Sequence, residues 1–258
     1  MKIIFISITL LILLFLTSCE TQCPQIELEC PECTCPVEEE GPDNVHVYFI
    51  NVGQGDSQLI KYGTTEMLID CGKNSMGPLV VDFLKSKGVK KLEYLMITHP
   101  DSDHLGGCDD VLNVRTGIPT QTIITNGEYT DTASYKEVTD EIDTEQLIEA
   151  KVSDKWNIGP ASIEILQTNN HFNDTNENSL VARLSYNNVS ALFTGDCDNT
   201  CEDFLLEKDI QSTILKVAHH GSKYATDIDF LEKVNPSVAI ISVGDNLYGH
   251  PTEETLDR

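Results

Sequence analysis

The sequence is short of basic residues. Its 258 residues include 17 Lys and Arg against 42 Asp and Glu, which gives a formal charge of −25 at pH 7. No stripe of Lys and Arg marks a nucleic-acid footprint, and a surface this acidic repels phosphate backbones at long range. The composition therefore argues against tight non-specific binding of DNA, although metal ions would neutralise a phosphate locally.

Long hydrophobic runs are also scarce. The uncharged run from Ile3 to Leu16 follows one basic residue, Lys2, and is shorter than the roughly 20 residues of a comfortable membrane span. These features predict a secretory signal peptide over residues 1–18. Its end, Leu16-Thr17-Ser18-Cys19, resembles the lipobox of prokaryotic lipoproteins, which implies a lipid on Cys19 and attachment to the extracellular face of the cell membrane. An uncleaved short anchor is the alternative, and it too places the rest of the chain outside the cytoplasm.

Residues 19–44 have little to bury and hold four prolines and seven glutamates, a composition typical of a tether. Their close cysteine spacings would suit a zinc knot, but disulfides are favoured in an exported segment. Of the four cysteines further along, Cys197 and Cys201 are the closest pair. That leaves Cys71 to pair with Cys108 by elimination, although the sequence alone leaves the connectivity open.

Residues 45–258 are long enough for one domain with a real core, show no internal repeat, and carry −18 once Lys2 and the eight acids up to Asp43 are set aside. Helical patterns cover residues 78–87, 201–208 and 227–234. Strand-like runs cover residues 45–52, 57–62, 67–70, 92–98, 122–125, 162–166, 180–186, 189–194, 213–217 and 237–243. The mixture of hairpins and helix-linked strands predicts an α/β (α+β) fold, an αββα sandwich of two mixed sheets flanked by helices.

Four metal-capable side chains lie within six residues directly after the apolar run 92–97: His99, Asp101, Asp103 and His104. A short loop leaving a rigid strand can aim several such ligands at one point. An exposed acidic turn with two chance histidines is the alternative, and the apolar strand before the cluster argues against it. The cluster therefore predicts hydrolytic metal chemistry. Other polar residues that follow apolar runs would meet it at a shared sheet edge: Asp70, Asp196, His219 and His250.

The motifs resemble a known family in their order. His99-x-Asp101-x-Asp103-His104 is similar to the HxHxDH motif of the metallo-β-lactamase fold, with Asp at the second histidine position. Three further segments resemble motifs of that fold: Leu68-Ile69-Asp70-Cys71-Gly72, Leu192-Phe193-Thr194-Gly195-Asp196 and Tyr248-Gly249-His250-Pro251. More specific segments resemble the extracellular hydrolase domain of ComEC-type DNA-uptake proteins: Asn51-Val52-Gly53-Gln54-Gly55-Asp56-Ser57, Leu215-Lys216-Val217-Ala218-His219-His220-Gly221-Ser222 and Ser242-Val243-Gly244.

The resemblance implies a set of metal ligands or near-ligands: His99, Asp101, Asp103, His104, Asp196 and His250. Asp196 would bridge two cations that acidify a shared water, and Asp103 would orient that water. Asp101 adds a hard oxygen ligand, which favours manganese or magnesium without excluding zinc. The expected cofactor is one or two divalent metal ions, manganese or zinc.

Two histidines follow the apolar run 213–217. We expect His219 and His220 to reach the site as ligands, phosphate-binding donors or an acid for the leaving group. The alternative is one buried structural histidine and one solvated histidine. Ser222 and Asn178 are expected to contact substrate, Asn178 because its segment resembles the uptake-protein pattern.

Several polar residues are expected to be supporting rather than catalytic. Asp70 would brace the metal loop from behind, and Asp56 would either do the same or serve only as a turn residue. His171 stands where many relatives of the broad fold carry a further ligand, but its neighbours read as a loop, so its role stays open. His46 alternates with apolar neighbours and is expected to be structural.

These features together predict an exported, membrane-tethered, metal-dependent hydrolase, a phosphodiesterase or nuclease whose substrate is a phosphodiester such as single-stranded DNA. Hydrolysis of a small ester, amide or thioester at the cell surface, and a noncatalytic metal-containing binding module, are the alternatives. No partner protein can be deduced. Unlike ComEC-type proteins, the chain has no series of membrane helices after its leader. It also ends at Arg258, soon after the last motif, so the domain is either truncated or closes differently.

Overall fold

The computed structural model describes residues 2–4 and 44–258. The first of these segments is a short strand, β1 (Lys2–Ile4). The rest of the predicted signal peptide, the expected lipidation site Cys19 and almost all of the predicted tether lie outside the described residues. Over the residues that the structure describes, no helix combines the length and the apolar character needed to cross a membrane.

One mixed sheet has six strands. In spatial order they are β2 (His46–Phe49), β3 (Gln58–Tyr62), β4 (Thr65–Ile69), β5 (Leu92–Met96), β6 (Thr120–Thr125) and β7 (Leu147–Glu149). The first three strands form an antiparallel meander, and β4 to β7 run parallel. Parallel neighbours need crossover connections, and helices occupy most of these connections.

The other mixed sheet has seven strands and a similar plan. Its remaining strands are β8 (Lys155–Ile158), β9 (Ala161–Gln167), β10 (Val181–Tyr186), β11 (Val189–Phe193), β12 (Ile214–Lys216) and β13 (Val238–Ile240). The spatial order is β1-β13-β12-β11-β10-β9-β8. Strands β8 to β11 are antiparallel, and β11, β12, β13 and β1 are parallel. A chain cleaved before Cys19 would lack β1.

Helices cover the outer faces of both sheets. They are α1 (Gly77–Ser86), α2 (Ser102–Leu105), α3 (Cys108–Leu112), α4 (Ala133–Asp140), α5 (Asn199–Leu205), α6 (Ile228–Val234) and α7 (Glu253–Asp257). Short 3-10 turns lie at Asn74–Met76, Thr144–Gln146, Asn176–Asn178 and Ala218–Gly221. Pro78 stands in the first turn of α1, where its missing N–H costs no helical hydrogen bond. Buried side chains of α1, α3 and α4 pack on the six-stranded sheet, and those of α5 and α6 on the seven-stranded sheet.

Alternation along the strands creates the layers. Met67 and Ile69 of β4 face the seven-stranded sheet, where they join Ile163 and Phe193 in one buried cluster. Leu68 points to the opposite face and packs in the cluster that includes α1, because successive strand side chains alternate. Full burial of such a side chain is worth about 1.5–3 kcal/mol. The predicted sandwich of two mixed sheets with outer helices is confirmed.

Two disulfides hold the ends of strands to helices. Cys71, just after β4, is bonded to Cys108 at the start of α3, with Cα atoms 5.2 Å apart. Cys197, just after β11, is bonded to Cys201 in α5, with Cα atoms 5.4 Å apart. These are the two pairs expected from the sequence.

Candidate metal centre

The predicted site residues meet at one edge of the sandwich. Asp70 directly follows β4, and His99 lies three residues after β5. On the other sheet, Asp196 lies three residues after β11 and His219 three residues after β12. Because the carboxyl ends of neighbouring parallel strands share an edge, two sheets packed face to face bring these loops together.

The segment that carries His99, Asp101, Asp103 and His104, called the metal loop, is held by a glycine turn. Helix α2 begins at Ser102 and turns His104 inward, where that side chain is fully buried. The backbone N–H of Asp56 donates to the Asp103 carbonyl at 3.1 Å. A Cβ on Gly55, whose φ is +143°, would lie 2.5 Å from that same carbonyl oxygen. Glycine is therefore required for the loop at residues 51–57 to approach the metal loop this closely.

Nitrogen and oxygen donors converge on Asp196. Its Oδ1 lies 3.2 Å from His104 Nε2, and its Oδ2 lies 3.3 Å from His220 Nε2. The same His220 nitrogen is 3.5 Å from Asp103 Oδ2. Three triads have ligand atoms within 4.8 Å of one another: His99 with His104 and Asp196, Asp103 with His104 and His220, and Asp56 with Asp70 and His104. The first two contain or contact Asp196 and are called the two triads below. Asp196 thus belongs to the first triad and contacts His220 of the second, and the two triads share His104.

Several buried nitrogen and oxygen atoms near Asp196, all of them able to bind a metal, have no hydrogen-bond partner within the described residues. They are Nε2 of His99, His104 and His220, Oδ1 of Asp196 and Nδ1 of His250. Buried polar atoms nearly always have partners, and each one left unpaired costs about 1–3 kcal/mol. Imidazole nitrogens mixed with carboxylate oxygens suit zinc and manganese. The donor set therefore fits one or two divalent cations.

Asp70 braces the centre from beneath, as the sequence suggests. Its Oδ1 accepts the Thr98 backbone N–H at 2.8 Å, and its Oδ2 accepts the Thr98 hydroxyl at 2.8 Å. The Oδ2 atom also lies 2.8 Å from His104 Nδ1. A carboxylate only accepts, so His104 carries its proton on Nδ1 and presents Nε2 to the triads.

Lys216 is a buried cation that the sequence analysis did not assign. Its Nζ forms an ion pair with Asp56 and donates to the Gly195 carbonyl at 2.8 Å, and it lies 3.7 Å from Asp196 Oδ1. Burial favours the neutral amine, but Asp56 and Asp196 outweigh burial and raise the pKa of Lys216. The available signal was a lysine inside the apolar run 213–217. Asp56 is consequently an ion-paired brace rather than only a turn residue.

Both histidines after β12 reach the centre. Their φ angles of 45° and 53° place His219 and His220 in the left-handed region, which is uncommon for residues other than glycine. The Nδ1 of His220 donates to the Ser242 carbonyl at 2.8 Å, which turns its Nε2 towards Asp196. The Nδ1 of His219 lies 2.9 Å from Asp198 Oδ1, and its Nε2 is 4.0 Å from Asp196 Oδ2.

The protonation states complement one another. Burial opposes charge on His104 and Asp196, but their mutual attraction wins and raises the pKa of His104 while lowering that of Asp196. Burial and the neighbouring His104 lower the pKa of His99. Burial likewise opposes the charge of His220, yet Asp196 and Asp103 raise its pKa to about 9. A neutral His99 and an ionised Asp196 are the metal-binding forms, and binding at His104 and His220 would release protons.

Three residues considered as metal ligands lie at the rim of the metal centre or outside it. Asp101 accepts the Thr175 hydroxyl at 2.8 Å, and its Oδ2 is 4.0 Å from His99 Nε2. His250 belongs to neither triad, although its ring lies 5.4 Å from that of His219. His171 is exposed in a loop, and the structure does not bring it to the centre.

Two residues expected to contact substrate hold hydrogen bonds within the loops around the centre. Asn178 is buried; its amide donates to the Phe172 carbonyl and accepts the Phe172 N–H, both at 3.0 Å. Ser222 is buried as well, and its hydroxyl oxygen accepts the Tyr224 N–H at 3.2 Å. These hydrogen bonds shape the loops around the centre. His46, expected to be structural, stacks on Tyr48 in β2.

Comparison with known proteins defines the class. Residues 50–245 match the Metallo-beta-lactamase superfamily, and the chain belongs to that superfamily. Among solved structures, the metallo-beta-lactamase fold protein YhfI from Bacillus subtilis superposes with a TM-score of 0.52 at 13% identity, over 83% of this chain and 93% of that one. At this identity the likeness shows the fold alone.

Curated relatives narrow the resemblance. The chain is 28% identical over 238 residues to ComE operon protein 3 of Bacillus subtilis, covering 81% of this chain and 30% of that protein. It is 29% identical over 227 residues to Competence protein ComA of Neisseria gonorrhoeae, covering 85% of this chain and 30% of that protein. The resemblance to ComEC-type proteins is therefore confirmed. The chain spans less than a third of the length of these relatives.

Proposed function

We propose that this chain is an exported, lipid-anchored, metal-dependent phosphodiesterase that acts on short or single-stranded phosphodiesters. One observation carries the proposal: buried imidazole and carboxylate atoms without partners converge on Asp196. Members of this superfamily are mostly metal-dependent hydrolases, and the donor set agrees with that chemistry.

The two triads are the groups that would hold metal. When bound, divalent cations supply Lewis acidity here, because they favour deprotonation of a water and neutralise charge on an attacked oxygen. Asp196 belongs to one triad and contacts His220 of the other. The ammonium of Lys216, itself ion-paired with Asp56, lies 3.7 Å from Asp196 Oδ1 and attracts that carboxylate. Asp70 fixes the tautomer of His104 from the other side. The protein's own contribution is thus a ligand set whose geometry is fixed before substrate arrives.

Two groups can move protons at the centre. Burial would raise the pKa of Asp103, but His220, whose Nε2 lies 3.5 Å from Asp103 Oδ2, and the charge of His104 hold it well below its usual value. The ionised Asp103 carboxylate can orient a water by accepting its hydrogen bond. Burial lowers the pKa of His219, whereas Asp198 and Asp196 outweigh burial and raise it. With Nδ1 held by Asp198, the His219 Nε2 proton faces the site and can pass to a leaving oxygen.

The substrate class rests on charge and on the relatives. Two of the curated relatives carry competence or recombination in their printed names, which favours a nucleic-acid phosphodiester. The −18 charge of residues 44–258 and the scarcity of Lys and Arg disfavour a long duplex tracked along a basic groove. Short or single-stranded phosphodiesters meet both conditions.

The test is a substrate panel on the purified protein. We expect manganese-dependent hydrolysis of bis(p-nitrophenyl) phosphate and of single-stranded DNA, faster than that of long duplex DNA. Asp103→Asn should abolish it, whereas Asp82→Asn, the same change on the exposed face of α1, should not. Activity confined to a thioester would reject the phosphodiesterase. Inactivity on every substrate with metal bound would support a binding module instead.

Export is a separate part of the proposal and depends on Cys19. Mass spectrometry of protein from native membranes should find a lipid-modified N-terminal Cys19. An intact Met1 terminus on most molecules would favour a retained anchor. A soluble product beginning beyond Cys19 would favour ordinary secretion.

A further inference from the structure

A cavity of about 210 Å³ opens beside the metal centre. His99 and Pro100 of the metal loop form one side, and α4 and the β6 end form others. The volume lies below the roughly 300–1,000 Å³ of pockets that enclose drug-sized ligands. The cavity thus has room for one ring system. Because His99 lines the cavity and also belongs to the metal centre, that ring could be part of a substrate whose reacting bond lies at the centre.

The walls are mostly apolar. They are formed by Ile97, Leu105, Tyr135, Val138, Ile142 and Leu147. The Tyr135 ring meets Tyr129 edge-on with centroids 5.4 Å apart, which fixes its orientation. A flat aromatic group would lose its hydration readily between such walls, whereas a phosphate would lose hydration without compensation.

The polar lining includes two carboxylates. Glu128 and Glu149 both line the cavity, and Glu128 is held by the Asn178 amide, which donates to its Oε1 at 3.2 Å. A Cβ on Gly127, whose φ is +74°, would lie 2.5 Å from Glu149 Cδ. Glycine at that position therefore lets the Glu149 side chain lie against the loop. Among the described residues, no Lys or Arg lines the cavity, so its polar end repels phosphate and attracts N–H donors.

We propose that this cavity is a nucleobase subsite selective for bases with N–H donors, guanine above all. The inference rests on the proposed phosphodiesterase function and names which part of the substrate it recognises. Guanine offers two adjacent N–H groups that pair with one carboxylate, whereas the single N–H of thymine lies between two carbonyl oxygens that the carboxylates repel. Apolar walls suit the faces of the ring. The scissile phosphate would then lie at the metal centre, and its base beside His99.

Binding of free nucleosides tests the subsite without any catalysis. On the metal-free full chain, titration calorimetry should show guanosine binding at least about ten-fold more tightly than thymidine. Glu149→Gln should reduce that ratio several-fold, because the amide replaces one acceptor by donors. Thr139→Trp should weaken the binding of both nucleosides, since Thr139 is exposed and its larger replacement would fill the cavity mouth. Glu145→Gln, on a neighbouring exposed acid that does not line the cavity, is the matched control and should change nothing.

Hydrolysis of p-nitrophenyl esters of guanosine and thymidine 5′-monophosphate provides the second readout. With manganese present, kcat/KM should be about ten-fold higher for the guanosine ester. Glu149→Gln should make the kcat/KM values of the two esters similar. Equal binding of both nucleosides, or a preference that Glu149→Gln and Thr139→Trp leave intact, would overturn the subsite. Selective guanosine binding without hydrolysis of any phosphodiester would keep the subsite and reject the proposed function.

Discussion

Asp70→Asn probes the support beneath the metal centre. Asp70 is fully buried, and its backbone has a φ of 55°, a region that asparagine tolerates as well as aspartate. The substitution keeps the shape and the acceptor for the Thr98 N–H. It replaces Oδ2, which lies 2.8 Å from His104 Nδ1, by an NH2 group. His104 would then have to accept at Nδ1 and carry its proton on Nε2, the atom that faces the triads.

The magnitude follows from that change of tautomer. Changes to the partner of a metal-ligating histidine cost 10–100-fold in metal affinity, or about 1.4–2.7 kcal/mol. Loss of the charge-assisted hydrogen bond should also lower the free energy of unfolding of the metal-free protein by about 1.5–3 kcal/mol. Competition with a chromogenic chelator measures the first effect, and urea unfolding in chelator measures the second. Asp82→Asn, on an exposed residue of α1, is the control and should shift neither. Metal affinity equal to wild type in Asp70→Asn would refute the assigned tautomer.

Buried charges and disulfides make three further predictions. Lys216→Met leaves Asp56 uncompensated and should lower the free energy of unfolding by about 3–5 kcal/mol; adding Asp56→Asn should recover part of the loss, and a purely additive result in urea unfolding would refute the pairing. Burial raises the pKa of Glu202 to about 8, so its stabilising contribution is complete below pH 4.5 and is lost as pH rises towards 8, by up to about 1.4 kcal/mol per pH unit. Urea midpoints from pH 5 to 8 should therefore fall more steeply in wild type than in Glu202→Gln, and identical slopes would contradict this. Replacing both cysteines of the longer disulfide loop, which spans 37 residues, by alanine should cost about 4 kcal/mol, against about 2 for the loop that spans 4, and a reversed order on denaturation would contradict the loop argument.

Periodicity in the sequence predicted the strands of the sandwich, because buried strands are continuous apolar runs. All ten predicted strands exist, each within a few residues of its expected bounds. β7 (Leu147–Glu149) escaped prediction because its three residues are exposed and form no apolar run. β8 (Lys155–Ile158) carries a charged and a polar residue among its four, and only pairing with β9 makes it a strand. Helix α4 has one fully buried residue, Val138, so its pattern is weak.

The centre was predictable where its chemistry is concentrated in one segment. The sequence predicted a metal site at residues 98–107 because His and Asp are rarely so dense after an apolar run. Contacts between distant segments were beyond reach: Lys216 with Asp56 spans the two sheets, and Asp198 meets His219 across a loop. Residue type alone could not show the hydrogen bonds between Asn178 and the Phe172 backbone, because an amide serves equally well for a substrate or for a loop.

Metal titration of chelator-treated protein tests the central claim most directly, with wild type and Asp196→Ala compared for bound metal and for hydrolysis of bis(p-nitrophenyl) phosphate. The Asp196 carboxylate contacts both His104 and His220, so wild type should bind one or two divalent ions and gain activity in step with occupancy. The folded Asp196→Ala variant should lose metal and most activity. Equal metal content and equal hydrolysis in Asp196→Ala would contradict a centre built around this residue.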